Sequence, residues 1–140
     1  MRWLAAAALA FSAGPALAAC TVTALPVTFG SYNPIGEQDL DSTGRVDIAC
    51  LPAAPYTITL GTGLSNSYTP RSLASGASRL PYNLYTDASY NLVWGDKSAG
   101  TAVVGGSAAT ASHTVYGRIP RKQNVGAGVY ADTVVVTVSF

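Results

Sequence analysis

The side chains able to do chemistry are few. A single imidazole, His113, would have to serve any Ser-His-Asp or Cys-His arrangement. It stands beside Ser112 at the start of an alternating segment, without a G-x-S-x-G elbow, and is expected as a surface or hydrogen-bonded histidine instead of a base. Asp39-Leu40-Asp41-Ser42-Thr43-Gly44 fits positions one, three and six of a calcium loop. Thr43 occupies the fifth position, however, and Cys50 the twelfth, where a bidentate Glu belongs, so these acids are expected to solvate a turn. Gly61-Thr62-Gly63 lacks the third glycine of a dinucleotide fingerprint and no helical pattern follows it. Two thiols and one His fall short of four zinc ligands. Two of the seven acids could in principle meet as a glycosidase pair, but all seven lie in turns or alternating segments where solvent exposure accounts for them. Tyr82, Tyr85, Tyr90, Trp94, Tyr116 and Tyr130 offer faces to a sugar ring; in β-structures such residues more often form core or cross-strand pairs. No enzyme, cofactor or metal is expected.

Composition narrows the remaining classes. The chain has 140 residues, 49% hydrophobic and only 11% charged, with a formal charge of +1. That length suits one domain, and an apolar, nearly neutral composition argues against disorder. No basic excess exists to displace counterions from a nucleic acid or to hold an anionic membrane surface.

Residues 1–18 read as a cleaved secretory signal. Arg2 supplies the positive start, Leu4 to Leu9 with Phe11 the apolar core, and Ala16-Leu17-Ala18 the small-x-small site. The stretch is too short and interrupted to span a membrane. The domain is then 19–140, in which seven basic residues balance seven acidic ones. In an oxidising compartment Cys20 and Cys50 have one intramolecular pairing open to them. A bond across 30 positions is worth about 3–4 kcal/mol in the chain-entropy treatment. Leu17-Ala18-Ala19-Cys20 also fits the box before a lipidated bacterial cysteine, which would leave Cys50 as an odd thiol. The disulfide is the expectation and lipidation the alternative.

The positioning elements read as strands and turns, with Val, Thr, Tyr and Ile clustered between Gly, Pro, Asn, Asp and Ser. Short strands are expected at 20–24 and 27–29, divided at Pro26, then a loop over 30–44. Strands follow at 45–50, with Val46, Ile48 and Cys50 on one face, and at 56–60, with Tyr56, Ile58 and Leu60. Residues 61–78 read as loop around a short strand at 71–73. Residues 80–86 read as a strand paired through a turn to 92–94, and 95–111 as a small-residue linker. Residues 114–119 form a strand closed by Pro120, and 130–140 the longest one. Roughly eight strands without a helix indicate an all-β Greek-key sandwich or barrel. The last strand carries Tyr130, Val134, Val136, Val138 and Phe140 on one face and has no successor. It is either flanked by earlier strands or it borders a vacancy that another molecule's strand fills.

Motifs along the domain carry a family resemblance. Cys20-Thr21-Val22, Val27-Thr28-Phe29-Gly30-Ser31-Tyr32 and Val46-Asp47-Ile48-Ala49-Cys50 open the series. Tyr82-Asn83-Leu84-Tyr85-Thr86-Asp87, Val93-Trp94-Gly95-Asp96 and Val115-Tyr116-Gly117-Arg118-Ile119-Pro120 continue it. Gly128-Val129-Tyr130-Ala131-Asp132-Thr133-Val134 with Val135-Val136-Thr137-Val138-Ser139-Phe140 closes it. This series resembles the spore coat protein U domain family, related to subunits of archaic Csu-type chaperone–usher pili. The resemblance implies an immunoglobulin-like sandwich lacking its last strand, with Cys20 and Cys50 as the family's disulfide. It implies a groove edged by residues 130–140, into which a periplasmic chaperone and then a neighbouring pilin subunit insert a strand at an outer-membrane usher. The chaperone's basic residues would hold the Phe140 carboxylate. Location would be the periplasm in transit and then a cell-surface fimbrium, serving adhesion and biofilm formation. Pilus-rod subunits of such families carry an extension before the first cysteine; here Cys20 follows the expected cleavage site after Ala19, so a strand-accepting tip or terminal subunit is expected. The alternative is a self-contained envelope or coat protein, lipidated at Cys20.

Overall fold

The described residues form nine strands, most of which alternate with period two and carry Val, Ile, Leu and Tyr on one face. The computed structural model describes residues 2–8 and 19–140. The strands are β1 (Arg2–Ala8), β2 (Ala19–Leu25), β3 (Ser31–Tyr32), β4 (Leu40–Leu60), β5 (Arg71–Ser75), β6 (Ser78–Tyr85), β7 (Val104–Ile119), β8 (Gly128–Val129) and β9 (Thr133–Ser139). Seven of them form one curled sheet in the order β1-β9-β4-β7-β6-β5, with β2 also paired to β4; β3 and β8 make a two-stranded ribbon. The result is the expected all-β sandwich.

The long strand β4 decides the architecture. The expected strands at 45–50 and 56–60 are parts of this one 21-residue element, which begins at Leu40 inside the expected loop. Two prolines, Pro52 and Pro55, made the middle look like a break. They are accommodated where the pairing with β7 shifts between Ala49 and Ala54, and both lie at exposed positions. Even-numbered residues stay inside on both sides of that irregularity: Val46, Ile48 and Cys50 before it, Tyr56, Ile58 and Leu60 after it. One edge of β4 is taken by β7 from Leu40 to Ile58. The other edge is shared in tandem by β2, opposite 45–51, and β9, opposite 57–60.

The expected linker at 95–111 is in part a strand, since β7 starts at Val104. Its small residues have a packing cause. A Cβ on Gly106 would lie 2.8 Å from the Tyr56 hydroxyl across the ladder, so a larger residue there would have to displace the end of the Tyr56 side chain. The expected hairpin partner at 92–94 is reduced to single bridges, Val93 to Tyr85 and Trp94 to Ala102, because Trp94 turns into the core and donates its indole N–H to the Ile58 carbonyl at 3.0 Å.

Residues 27–29 form no strand, contrary to expectation. They cross the sheet face over two glycines. A Cβ on Gly44 would stand 2.6 Å from the Leu25 carbonyl oxygen and 2.8 Å from a Val27 methyl; one on Gly117 would stand 2.7 Å from the Phe29 ring. Val27 is fully buried there, and the Ser42 hydroxyl donates to the Thr28 carbonyl at 2.7 Å. Gly44→Ala is therefore expected to lower stability by about 1–3 kcal/mol, since the obstructing atoms are largely backbone. Urea denaturation would read this as a lower midpoint at unchanged slope.

Candidate functional site: the β2–β9 cleft

Because β2 and β9 share one edge of β4 in succession, a cleft opens between them. β1 fills it. Its seven residues pair in parallel with the whole of β9, from Arg2 opposite Thr133 to Ala8 opposite Ser139, and it also lies against β2. On the β9 wall, Val134, Val136 and Val138 are buried and Thr133, Val135, Thr137 and Ser139 alternate outward. Val135 is 40% exposed on the outward face. The β2 wall is uncharged from Ala19 to Leu25 and alternates between exposed and half-buried positions. It is fastened by the Cys20–Cys50 disulfide, formed between residues directly opposed in the β2–β4 ladder. That bond engages the Cys20 sulfur that a thioether-linked lipid would need.

Of the other residues assigned to the edge strand, Tyr130 precedes β9, with its hydroxyl donating to the Gly126 carbonyl at 2.7 Å. Phe140 follows β9 and packs half-buried against the core. The expected longest strand is thus shorter than β4 or β7, because Asp132 interrupts it. Asp132 also overturns the expectation that every acid is solvent-exposed: it is 1% exposed. Its carboxylate accepts from the Tyr82 hydroxyl at 2.5 Å and from the Leu64 and Thr133 N–H groups at 2.8 Å each. Burial foremost, and then this carboxylate, push the Tyr82 phenol far above its ordinary range, so it stays protonated and donating.

A second buried polar group, Arg71 on β5, supports the same end of β9. It is fully buried, and among the described residues no carboxylate is in salt-bridge contact with it. Its guanidinium donates to the Gly61 carbonyl at 2.7 and 3.0 Å, the Trp94 carbonyl at 2.6 Å and the Asn83 side-chain oxygen at 2.9 Å, with the Tyr68 ring centroid 5.1 Å away. Burial lowers its pKa. Gly61 in turn donates its N–H to the Val135 carbonyl at 2.9 Å, so Arg71 holds the residue that holds β9.

The remaining chemical side chains are engaged elsewhere. The His113 Nε2 lies 2.7 Å from the Tyr56 hydroxyl, and partial burial lowers the imidazole pKa. Asp41 takes a bidentate contact from Arg118 at 2.7 and 2.9 Å, and Asp39 accepts the Arg121 N–H at 3.0 Å, which is how the calcium-like acids are used. The six aromatics divide. Tyr82, Trp94 and Tyr130 are core, whereas Tyr85, Tyr90 and Tyr116 form an edge-to-face surface row with Arg118 3.7 Å from the Tyr90 centroid. Among the described residues no helix is long and apolar enough to cross a membrane.

Comparison with known proteins places this geometry among relatives. The family model of the Spore Coat Protein U domain matches residues 6–137. "Protein U" of Myxococcus xanthus is 35% identical over 127 residues, 81% of this chain and 71% of that protein. Among solved structures, the chain is similar to one chain of the CsuC–CsuE chaperone–tip adhesion subunit pre-assembly complex from the archaic chaperone–usher Csu pili of Acinetobacter baumannii. The TM-score is 0.65 at 24% identity, over 89% of this chain; the match spans 40% of that chain's length, and it shows a shared fold.

Proposed function

This chain belongs to the Spore Coat Protein U domain family, and from that premise we propose that it is a non-enzymatic, strand-accepting subunit of a secreted chaperone–usher fimbria. Residues 1–18 are removed at export, and the domain 19–140 reaches the cell surface through the periplasm to serve adhesion and biofilm formation. One observation carries the reading. The β9 edge takes up an added strand over its full seven residues, while its opposite edge is already paired to β4. Strand addition of this kind draws affinity from main-chain hydrogen bonds, each worth about 1 kcal/mol net, and specificity from alternate side-chain positions.

In the processed domain the β9 edge, Thr133–Ser139, would be long, apolar and without Pro, Lys or Glu to protect it. A periplasmic chaperone first covers it and another pilin subunit replaces the chaperone at the usher. Tyr130 and Phe140 mark the two ends of the groove, and basic residues of the chaperone bind the Phe140 carboxylate. The Acinetobacter complex, a chaperone with a tip subunit on a related fold, supports this assignment of partners.

The test is to export the chain with and without its periplasmic chaperone. We expect the domain 19–140 to aggregate or unfold at low denaturant when alone, and to be recovered as a soluble one-to-one complex with the chaperone. A monomer of 19–140 that refolds reversibly with full stability and ignores added strands would overturn the assignment.

A further inference from the structure

We propose that the outward face shared by β2, β4, β7 and β6 is a binding track for a neutral, extended polysaccharide, with Tyr85, Tyr90 and Tyr116 as its stacking platform. The track lies on the sheet face and not at the β2–β9 edge, so it goes beyond the strand-accepting reading and does not depend on it.

The ladder registers set side chains in rows across this face. Thr21, Ala49 and Thr110 make one row, and Thr23, Asp47 and Ser112 the next. The small Ala49 between two hydroxyls leaves a hollow of about 440 Å³. Arg45 with Thr114 follows, then Tyr116 between Thr43 and Tyr85, then Asp41 opposite Arg118. The eight steps of strand from Thr110 to Arg118 extend up to about 27 Å. That length suits a chain of several sugars better than a single one.

The polar groups of the face favour a neutral polyol. Its charges are already paired: Arg45 lies 2.9 Å from Asp47, and Arg118 contacts Asp41 at 2.7 and 2.9 Å and Asp39 at 3.6 Å. No lysine stands on these four strands, so no cationic field is offered to a polyanion. Hydrogen-bonding capacity is nevertheless left over. Thr21, Thr23, Thr110 and Thr114 are exposed, and among the described residues neither their hydroxyls nor the Arg118 Nη1 has a partner. Hydroxyls both donate and accept, as those of a sugar do, and a paired carboxylate keeps lone pairs free. Protein partners are anchored differently, by large side chains in desolvated pockets, where serine and threonine are under-represented.

The platform is built at a cost. Tyr90 is held at φ 56°, a left-handed conformation that is unfavourable for a bulky side chain. The Asp87 carboxylate fixes this turn by accepting the Asn91 and Leu92 N–H groups at 3.1 and 3.0 Å, and the Tyr90 N–H donates to the Asp87 carbonyl at 3.2 Å. What the strain secures is the position of the ring. It meets Tyr85 and Tyr116 edge-to-face, at 5.4 and 6.4 Å between centroids, with the Arg118 guanidinium 3.7 Å from its own centroid. The three rings are partly exposed and do not belong to the core cluster. Side chains ordered before the ligand arrives lose little entropy on binding. The C–H faces of a sugar then rest on the rings, and its hydroxyls reach Asp41 and Arg118.

The processed chain, taken as exported and with its chaperone if one is bound, is run in native gels containing dextran, laminarin or galactomannan, with alginate as the polyanionic control. At least one neutral polymer should retard it, and alginate should not. Tyr116→Ala and Tyr90→Gly should each weaken that retardation about 10-fold or more. Val135→Thr, on β9, should leave it unchanged. Glycine adopts a positive φ without strain, so Tyr90→Gly should keep its urea midpoint while losing the polymer, which a merely structural tyrosine would not do. Retardation by none of the neutral polymers, equal retardation by alginate, or full retention in both tyrosine variants overturns the inference. Concentration-dependent dimerisation abolished by Tyr116→Ala also overturns it, since a second copy would then be the occupant. Strand capture at β9 is a separate measurement, and none of these outcomes alters it.

Discussion

Replacing Arg71 with Met is expected to lower stability by about 3–5 kcal/mol, from the buried acceptors it leaves without donors. Methionine fills much of the volume but donates nothing. It strands the Gly61 and Trp94 carbonyls, both reached by the guanidinium within 3.0 Å, and takes from the Asn83 side-chain oxygen one of two donors, leaving it the Leu84 N–H. A buried acceptor left without a partner costs about 1–3 kcal/mol, so two of them, with the weakened Asn83 contact, account for the range. Arg71→Lys should recover only part of the loss, because a single ammonium cannot reproduce the planar fork that spans three acceptors. Arg79→Met on the neighbouring strand is the control. Its contacts are exposed carbonyls, and it should stay within about 0.5 kcal/mol of the parent. Urea denaturation of the three variants checks the ordering. Equal midpoints for Arg71→Met and Arg79→Met would mean the buried fork contributes nothing. Because Gly61 also binds the Val135 carbonyl, strand capture at β9 should weaken along with stability in Arg71→Met alone.

The short strand expected at 71–73 is β5, but the burial of Arg71 was not legible in the sequence, and the reason is physical. Arg71 lies among Ser, Gly and Asn, a context that reads as solvated loop. Its burial follows from the convergence of Gly61, Asn83 and Trp94, which are separated along the chain by up to 33 positions. Asp132 left a usable trace: it occupies an even position between Tyr130 and Val134, on the inward face of the alternation, where a carboxylate must find donors. What alternation records was read well, since the inward faces of β4 and β9 are those the pattern gives. What it does not record was missed. Pro52 and Pro55 hid the continuity of β4, and Gly105 and Gly106 hid the first turn of β7 around Tyr56. Even the cleft was half legible. A terminal apolar strand signals an edge, but the tandem seating of β2 and β9 on one side of β4 depends on the bend at 49–54, which periodicity cannot express.

Converting both Cys20 and Cys50 to Ser is expected to cost about 3–4 kcal/mol, through the entropy returned to a loop of 30 positions in the unfolded chain. For a domain of this size that is a large share of a total stability of about 5–15 kcal/mol. The loop contains the crossing segment 27–29 and the β3 ribbon strand, which have few ladder partners of their own and so gain most from the closure. Cys50 lies on the buried face of β4, so the serine hydroxyl placed there adds a polar group to the core beside Ile48. Reduction of the parent with dithiothreitol should reproduce most of the loss without that addition, which separates chain entropy from core polarity. The consequence for function follows from the position of the bond. It fastens the second residue of β2, and β2 is one wall of the cleft. An unfastened wall must be ordered each time a strand enters, and that ordering subtracts from affinity. Peptide capture by the Cys-to-Ser chain should therefore fall even at temperatures where circular dichroism still reports a folded sheet. Unchanged capture with lowered stability would assign the bond to the unfolded state alone, and would make β9, without β2, the sole determinant of strand binding.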